Sequence, residues 1–182
     1  STTYGSTWSQ VGNTFTGAQS DDVVAGGVIS SDGLTIAYVT LRDDAGGYNR
    51  GSVKVYRWIN STWTLLGNPF YGLVDNETFG GAISLGKDGN TIAINYTEAA
   101  LWSLNTSKKG FTAVFYYDSS KTSSSNDPTS ALFGPVGWSI IGAPIYNESN
   151  GENYVMPRLS GNNKIIAIGS PYNDGTTGNI DD

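Results

Sequence analysis

Residues 26–67 read GGVISSDGLTIAYVTLRDDAGGYNRGSVKVYRWINSTWTLLG, and this stretch decides the fold prediction. It contains four short runs rich in β-branched and aromatic residues, separated by turns of Gly, Asn and Asp. The third run, residues 51–58, shows the strict period-2 alternation that is typical of a β-strand. Gly33, after Asp32, supplies the positive φ that a tight hairpin needs. The stretch therefore predicts four consecutive antiparallel strands.

The unit recurs along the chain, and two independent markers reveal it. The first marker is a Trp followed four residues later by a Gly, and it begins at Trp8, Trp63 and Trp138. The second marker is a turn followed by an Ile-Ala pair, with the Ile at Ile36, Ile92 and Ile166. The steps are 55 and 75 residues for the first marker, and 56 and 74 for the second. Because such periodicity is typical of propellers and arrays, we predict an all-β fold, a β-propeller segment of four-stranded antiparallel blades.

The repeats divide the 182 residues into one propeller segment with partial blades at both ends. We predict a blade end at 1–17, a blade at 26–67, a blade at 79–142 and a partial blade at 154–182. A polar insertion at 118–137 accounts for the longer second step, and loops of this length are usually functional or mobile. Residues 98–104 fit either one helical turn or an extended segment. Since the chain begins within a repeat and ends before another is complete, we expect a piece of a longer protein.

Composition excludes several classes of partner and site. The net charge of −6 argues against a nucleic-acid partner, because phosphate binding needs clustered Lys and Arg. The chain has no Cys, which excludes disulfides and Cys-based zinc sites. It has no run of about 18 apolar residues, so we expect no transmembrane segment.

Catalysis finds little support in the sequence. There is no His, so the usual general base is missing, and without His or Cys the usual nucleophilic triad cannot be built. No Gly-x-Ser-x-Gly elbow occurs. The acidic residues stand mostly in turns and form no convincing pair for a glycosidase. We therefore predict that the chain is not an enzyme.

The repeat consists of Ser-x-Asp-Gly-x-x-Ile-Ala, a polar loop, Gly-x-Val-x-Val-Tyr-x-Trp and Trp-x-x-x-Gly. This pattern resembles the FG-GAP repeats of integrin α-subunit propellers and related repeats in surface proteins of bacteria and microalgae. Residues 166–175, IAIGSPYNDG, carry the resemblance best, and Phe79-Gly80 matches the Phe-Gly of the name. The WD40 family fits less well, because its period is about 40–45 residues. The chain also lacks Gly-His and Trp-Asp pairs.

The resemblance implies calcium as a ligand and no other cofactor. Integrin-type loops bind calcium through alternating Asp and Asn oxygens, which suit a hard cation. The matching positions here are Asp43, Asp44, Asn173 and Asp174. Neither loop has a full Asp-x-Asp-x-Asp-Gly pattern, and Asp and Asn are also common turn formers. Both interpretations stay open at this point.

Sequons and tryptophans supply the other candidate sites. Acceptor asparagines in predicted links and loops are Asn60, Asn76, Asn105 and Asn147, whereas Asn95 abuts a predicted strand. The repeated Trp residues fit either stacking on sugars or packing between blades. Their recurrence at one position favours packing, because aromatic side chains dominate buried area.

These observations and the resemblance lead to two functional hypotheses. The first is a non-catalytic structural or adhesion component of an extracellular or cell-surface assembly built from propeller repeats. The alternative is a glycan- or calcium-dependent binding module of a secreted protein. Blades that expose their edge strands need partners. We therefore expect these to be other blades of the same longer chain or other copies, with glycans as a further partner class.

Overall fold

The computed structural model describes residues 7–77, 79–97, 110–147 and 155–170. Within these ranges all paired strands are antiparallel and there is no helix. The strands are β1 (Val23–Ile29), β2 (Thr35–Leu41), β3 (Ser52–Ile59), β4 (Thr62–Leu65), β5 (Phe70–Tyr71), β6 (Ile83–Leu85), β7 (Thr91–Tyr96), β8 (Phe111–Tyr117), β9 (Trp138–Ile140), β10 (Ile145–Tyr146), β11 (Met156–Leu159) and β12 (Ile166–Gly169). The predicted all-β class is confirmed for the described residues.

The first sheet follows the chain, in the order β1-β2-β3-β4, as the sequence predicts. The β3–β4 hairpin turns at Asn60 and Ser61, whose φ angles are 49° and 62°. Two consecutive positive φ values match the twist of the flanking strands, so this short link favours a tight hairpin. β1 begins earlier than predicted, at Val23, because a bulge between Val24 and Gly26 keeps its first residues paired with β2.

In both large sheets the fourth strand is split into two short strands. β4 and β5 both pair with β3, and β9 and β10 both pair with β8. Between the two pieces lies a bend, at residues 66–69 in the first sheet and 141–144 in the second. Each bend contains a glycine in the left-handed region, Gly67 at φ 67° and Gly142 at φ 69°. We call these segments the first bend and the second bend.

The turns that form the second sequence marker have the same geometry in all three sheets. Gly33, Gly89 and Asn163 occupy the left-handed region, with φ of 73°, 68° and 59°. The preceding Asp or Asn accepts a hydrogen bond from the backbone N two residues on in each case. These turns also bond to one another, since Ser31 N donates to Lys87 O at 3.1 Å. Asn163 Nδ2 likewise donates to Asp88 Oδ1 at 3.0 Å, so the three turns lie together.

The hydrophobic core lies between the first and second sheets. β7 is buried at all six of its positions, as expected of a central strand covered on both faces. Its neighbours in the core include a set of fully buried aromatic side chains, Phe70, Phe79, Phe111, Phe115, Phe133 and Trp138. Burying rings of this size is the main source of apolar stabilisation, so the contact between the two sheets is the energetic centre of the described fold.

The blade end predicted at 1–17 is described only from residue 7 onward. Residues 7–17 contain no strand, although the sequence predicts a last strand led by Trp8 at the blade end 1–17. Trp8 is fully exposed, at 101%. An extended segment becomes a strand only beside a partner, and no described strand pairs with this one. Residues 1–6 and residues 98–104, where the sequence leaves both a helical turn and an extended segment open, lie outside the described residues.

The insertion at 118–137 packs into the hydrophobic core through buried side chains. Lys121 is buried, and its Nζ donates to the carbonyl oxygens of Phe133, Gly134 and Trp138 at 3.1, 3.1 and 2.6 Å. The Phe133 ring packs on Phe111 and Phe115, with centroids 5.9 and 5.7 Å apart. The single ammonium group therefore ties the insertion to the start of β9.

Replacing Lys121 by Met tests this tie. Met fills a similar volume but offers no donor, so three buried carbonyl oxygens lose a hydrogen bond. We expect the free energy of unfolding to fall by about 1–3 kcal/mol. Urea denaturation measures the change, and Lys87→Met, at an exposed lysine, is the control that should leave stability unchanged. Equal stability of the two variants would contradict the structural role.

No helix in the described ranges is long and apolar enough to cross a membrane.

Candidate functional site

The contact between the second sheet and the first bend is built around one tryptophan. The Trp138 side chain is completely buried, and its Nε1 donates to Leu66 O at 2.9 Å. Gly67 makes room for the ring, since a Cβ atom there would lie 2.6 Å from Nε1. The next backbone group also bonds across, because Asn68 N donates to Val136 O at 2.9 Å. The first bend is thus a receptor for an indole ring.

The same contact occurs one repeat earlier. Trp63 Nε1 donates to Val11 O at 3.0 Å, and Gly12, at φ 73°, faces the ring. A Cβ atom on Gly12 would lie 2.6 Å from Trp63 Cδ1. Val11 and Gly12 hold the places in their repeat that Leu66 and Gly67 hold in the next. The indole of one repeat therefore docks on the bend of the repeat before it.

An aromatic residue three positions after the bend glycine completes each contact. Phe15 lies 4.9 Å from Tyr56 and 6.2 Å from Trp63, measured between ring centroids. Its counterpart Phe70 lies 5.0 Å from Phe115 and 5.4 Å from Trp138. We call the whole arrangement the bend contact: an indole, the carbonyl and glycine that receive it, and this apolar residue. The Trp63 and Trp138 rings therefore pack on protein groups, whereas the exposed Trp8 makes no such contact with any described residue.

The predicted calcium residue Asp43 is engaged with protein groups. Its side chain is buried, Oδ2 accepts from Ser52 Oγ and Lys54 Nζ at 2.6 Å each, and Oδ1 accepts from Ala45 N at 2.9 Å. Burial alone would raise the pKa of Asp43, but the hydrogen bonds from Lys54 and Ser52 outweigh it, so this pKa is below its ordinary value. The carboxylate anchors the β2–β3 loop, and Lys54 neutralises it.

Among the described residues, the other predicted metal ligands do not form a binding site with Asp43. Asp44 Oδ1 accepts from Asn49 N at 2.6 Å and closes the same loop. Asn173 and Asp174 lie outside the described residues. Within the described ranges no three His, Cys, Asp or Glu side chains are grouped closely enough to hold a metal ion. Calcium therefore stays a prediction from the resemblance.

The four sequon asparagines differ in their surroundings. Asn60 is exposed at the β3–β4 turn, and Asn76 is exposed but its Oδ1 accepts from Asn49 Nδ2 at 3.1 Å. Asn147 follows β10 and is half-buried, while Asn105 lies outside the described residues. By contrast Asn95 is buried in β7, where Nδ2 donates to Phe111 O. Asn60 is the most accessible described acceptor.

Expression in a secretory eukaryotic host tests that ranking. We expect glycan occupancy at Asn60, since both it and the sequon residue Thr62 are exposed. Intact mass spectrometry of the secreted chain should then show one glycan fewer in the Asn60→Gln variant. Asn95→Gln is the control that should leave the glycan number unchanged. An unmodified Asn60 in the secreted chain would contradict the prediction.

A cavity of about 440 Å³ opens between the first bend and the insertion. Polar groups of Arg50, Asn68 and Asn126 share its lining with the rings of Tyr71 and Phe133. Tyr71 packs directly on Gly46, where a Cβ atom would lie 2.4 Å from the ring. Mixed aromatic and polar linings of this volume suit a small polar ligand.

Sequence reasoning missed Glu77, which is buried beside this region. Its Oε2 accepts from the backbone N of Leu73 and Val74, and it lies near the buried ring of Tyr96. Burial is the main cause that raises the pKa of Glu77 to about 7, against the hydrogen bonds that lower it. Nothing in the sequence signals this burial, because Glu77 stands in a polar link between Asn76 and Thr78.

Comparisons of the chain with protein-family models, with curated proteins and with solved structures found no match.

Proposed function

We propose that this chain is a non-catalytic segment of a β-propeller-type repeat protein, with a structural or adhesion role in an extracellular or cell-surface assembly. The observation that carries the proposal is the bend contact, which occurs twice with the same donor, acceptor and glycine. A unit that docks on its predecessor through one repeated contact is suited to build arrays, since each added unit buries the face of the one before.

The adjacent turns of the three sheets support the propeller arrangement. Ser31 bonds to Lys87, and Asp88 bonds to Asn163, so equivalent turns of successive sheets meet at one end. Blades placed around a common axis bring equivalent turns together in this way. Strand order within each large sheet supports the same arrangement, because the strands are joined in sequence without crossovers other than the split fourth strand.

Surface labelling of the cells that produce the protein tests the proposed location. Antibodies raised against the purified chain should label intact, unpermeabilised cells or the material around them. Removal of the label by external protease, with a cytosolic marker left intact, is the matched control. Labelling only after permeabilisation would overturn the proposed role.

A second candidate function is glycan binding at the 440 Å³ cavity. The ring of Tyr71 and the polar groups of Arg50 and Asn126 offer the stacking surface and hydrogen bonds that sugars use. A glycan array probed with the chain should then show retention that Tyr71→Ala abolishes. Repeating the array and a thermal melt with added calcium tests the calcium-dependent form of this candidate. Unchanged retention in Tyr71→Ala would exclude the cavity.

A further inference from the structure

The cavity between the first bend and the insertion has buried aromatic walls. Its volume is about 440 Å³, and Phe70, Tyr96 and Phe133 line it while each is at most 2% exposed. The insertion contributes residues 124–126 and 133–136, and residues 68–73 lie opposite. All the lining residues fall between positions 46 and 136, so the cavity belongs to the two large sheets and their connections.

The polar side chains of this lining have few partners in the protein. In the part of the chain that the structure describes, the amides of Asn68 and Asn126 and the hydroxyl of Ser124 form no hydrogen bond. The hydroxyl of the buried Tyr96 likewise donates to no described residue. Side-chain amides and hydroxyls can both donate and accept, as sugar hydroxyls do. The lining is therefore matched to a ligand with several hydroxyl groups.

Among the described residues that line the cavity, Arg50 is the only charged one. Its Nε donates to Asp75 Oδ1 at 2.8 Å, whereas its two terminal nitrogens have no described partner. The Asp75 side chain is 55% exposed and lies outside the lining, so water and salt screen its charge. The free N–H groups of the guanidinium can therefore bind a planar or tetrahedral anion.

This lone cation contrasts with the rest of the chain, which has 16 acidic and 10 basic residues. The nearest buried acid, Glu77, lies behind the lining, where its Oε2 accepts from Leu73 N. Because burial raises the pKa of Glu77 to about 7, its carboxyl is mostly uncharged in mildly acidic solution. A cleft lined by one sign of charge concentrates ions of the opposite sign. The cavity thus favours an anion, although the protein as a whole is acidic.

We infer that this cavity binds an acidic saccharide, a sugar that carries a carboxylate or a sulfate group. The anionic group pairs with Arg50, and the hydroxyls bond to the amides of Asn68 and Asn126. The sugar ring packs on the buried aromatic side chains. The inference rests on the glycan-binding candidate proposed above and names its class of ligand. A peptide with a free carboxylate offers the anion but not the set of hydroxyls.

Isothermal titration calorimetry with matched probes tests the inference. The first pair is digalacturonic acid and its methyl ester, and the second is a sulfated galactose disaccharide and its unsulfated form. In each pair the sugar is the same and only the charge differs. A hydrogen bond to a charged group is worth about 1.5–3 kcal/mol, so an acidic probe should bind about 10- to 100-fold more tightly than its neutral partner. The pair that shows this difference identifies the anionic group.

The variant Arg50→Gln isolates the role of the guanidinium. We expect the difference between acidic and neutral probes to disappear, while the affinity for the neutral probes stays the same and shows that the cavity is folded. Lys164→Gln removes one positive charge at an exposed position and is the control that should bind like the wild type. Asn126→Ala, in the insertion, should weaken acidic and neutral probes alike by about 2- to 10-fold.

Four results would overturn the inference. In the first, no acidic probe binds the wild type. In the second, acidic and neutral probes bind equally well, or their difference persists in Arg50→Gln. In the third, Asn126→Ala leaves every affinity unchanged, which places the anion outside the cavity. In the fourth, a tripeptide with a free carboxylate binds as tightly as the acidic sugars.

These results are separable from those that test the proposed functions. Equal binding of acidic and neutral sugars overturns the role of Arg50 and leaves glycan binding at the cavity standing. Absence of binding to any saccharide overturns both, and surface labelling of intact cells still decides the structural role by itself.

Discussion

Truncating the three motif tryptophans is expected to destabilise the protein to three different extents, although their sequence surroundings match. Trp138→Ala should lower the free energy of unfolding by about 3–5 kcal/mol, because the side chain is completely buried and loses its bond to Leu66 O. Trp63→Ala should lower it by about 1–2 kcal/mol, since this ring is half-buried. Trp8→Ala should change it by less than about 0.5 kcal/mol, as expected of an exposed site.

Urea denaturation followed by circular dichroism measures the series. The m-value should stay constant, so that the shift in midpoint reports stability alone. Trp138→Phe is a useful companion, because it keeps an aromatic ring but removes the Nε1 donor. Similar losses for Trp8→Ala and Trp138→Ala would contradict the ranking and the burial on which it depends.

Glu77 is expected to make the protein less stable as the pH rises from acid to neutral. Its pKa is about 7 in the folded state, against 4.5 for an ordinary Glu, because burial disfavours the charged carboxylate. Between these two values the folded state holds a proton that the unfolded state has lost, so stability falls with increasing pH. The contribution is fully present below about pH 4.5 and is lost once the pH has passed 7, with a total of about 3 kcal/mol.

The variant Glu77→Gln isolates this effect. Gln does not ionise, and its amide oxygen can accept the bonds from Leu73 N and Val74 N. We expect the variant to lose the downward slope between pH 4.5 and 7 and to be more stable than the wild type at pH 8. Asp75→Asn is the matched control: its exposed carboxylate pairs with Arg50, and its removal should leave the slope in place. A wild-type slope that persists in Glu77→Gln would show that another group titrates.

The repeating strands and turns could be predicted because their causes are local. The alternation in β3 and the left-handed turn residues at Gly33 and Gly89 depend on neighbours within a few positions. At the third turn Asn163 replaces glycine, and its side chain type also tolerates positive φ. The order of strands in the first sheet follows from these short hairpins, so the sequence was sufficient for it.

Whether each of the three tryptophans is buried could not be predicted, because burial depends on which residues lie beside its repeat in the fold. Trp138 and Trp63 dock on bends that contain Gly67 and Gly12, whereas Trp8 is exposed and meets no such bend among the described residues. Residues 7–17 form no strand, since a strand needs a hydrogen-bonded neighbour and no described strand pairs with them. A local motif specifies the shape of a contact but not whether a partner is present.

The roles of the polar residues also depend on tertiary contacts that the sequence does not show. Asp43 was a candidate calcium ligand by sequence. In the structure its carboxylate oxygens accept hydrogen bonds from Ser52, Lys54 and Ala45. Lys121 and Glu77 carry no motif, yet they are buried ionisable groups that hold the insertion and the β5–β6 link. Their roles arise from residues brought together across loops, which no local pattern encodes.

The sequence by itself determined the all-β class, the repeated turns and the positions of the bend glycines, because period-2 alternation and positive φ are properties of short segments. Only the tertiary structure decided which bends receive an indole, which carboxylates are buried and which apolar surface is left uncovered. Packing of the second sheet onto the first buries Trp138 and leaves Ile141 and Ile145 exposed at the second bend. The difference is physical, since backbone geometry is set residue by residue while burial is set by the neighbouring sheet.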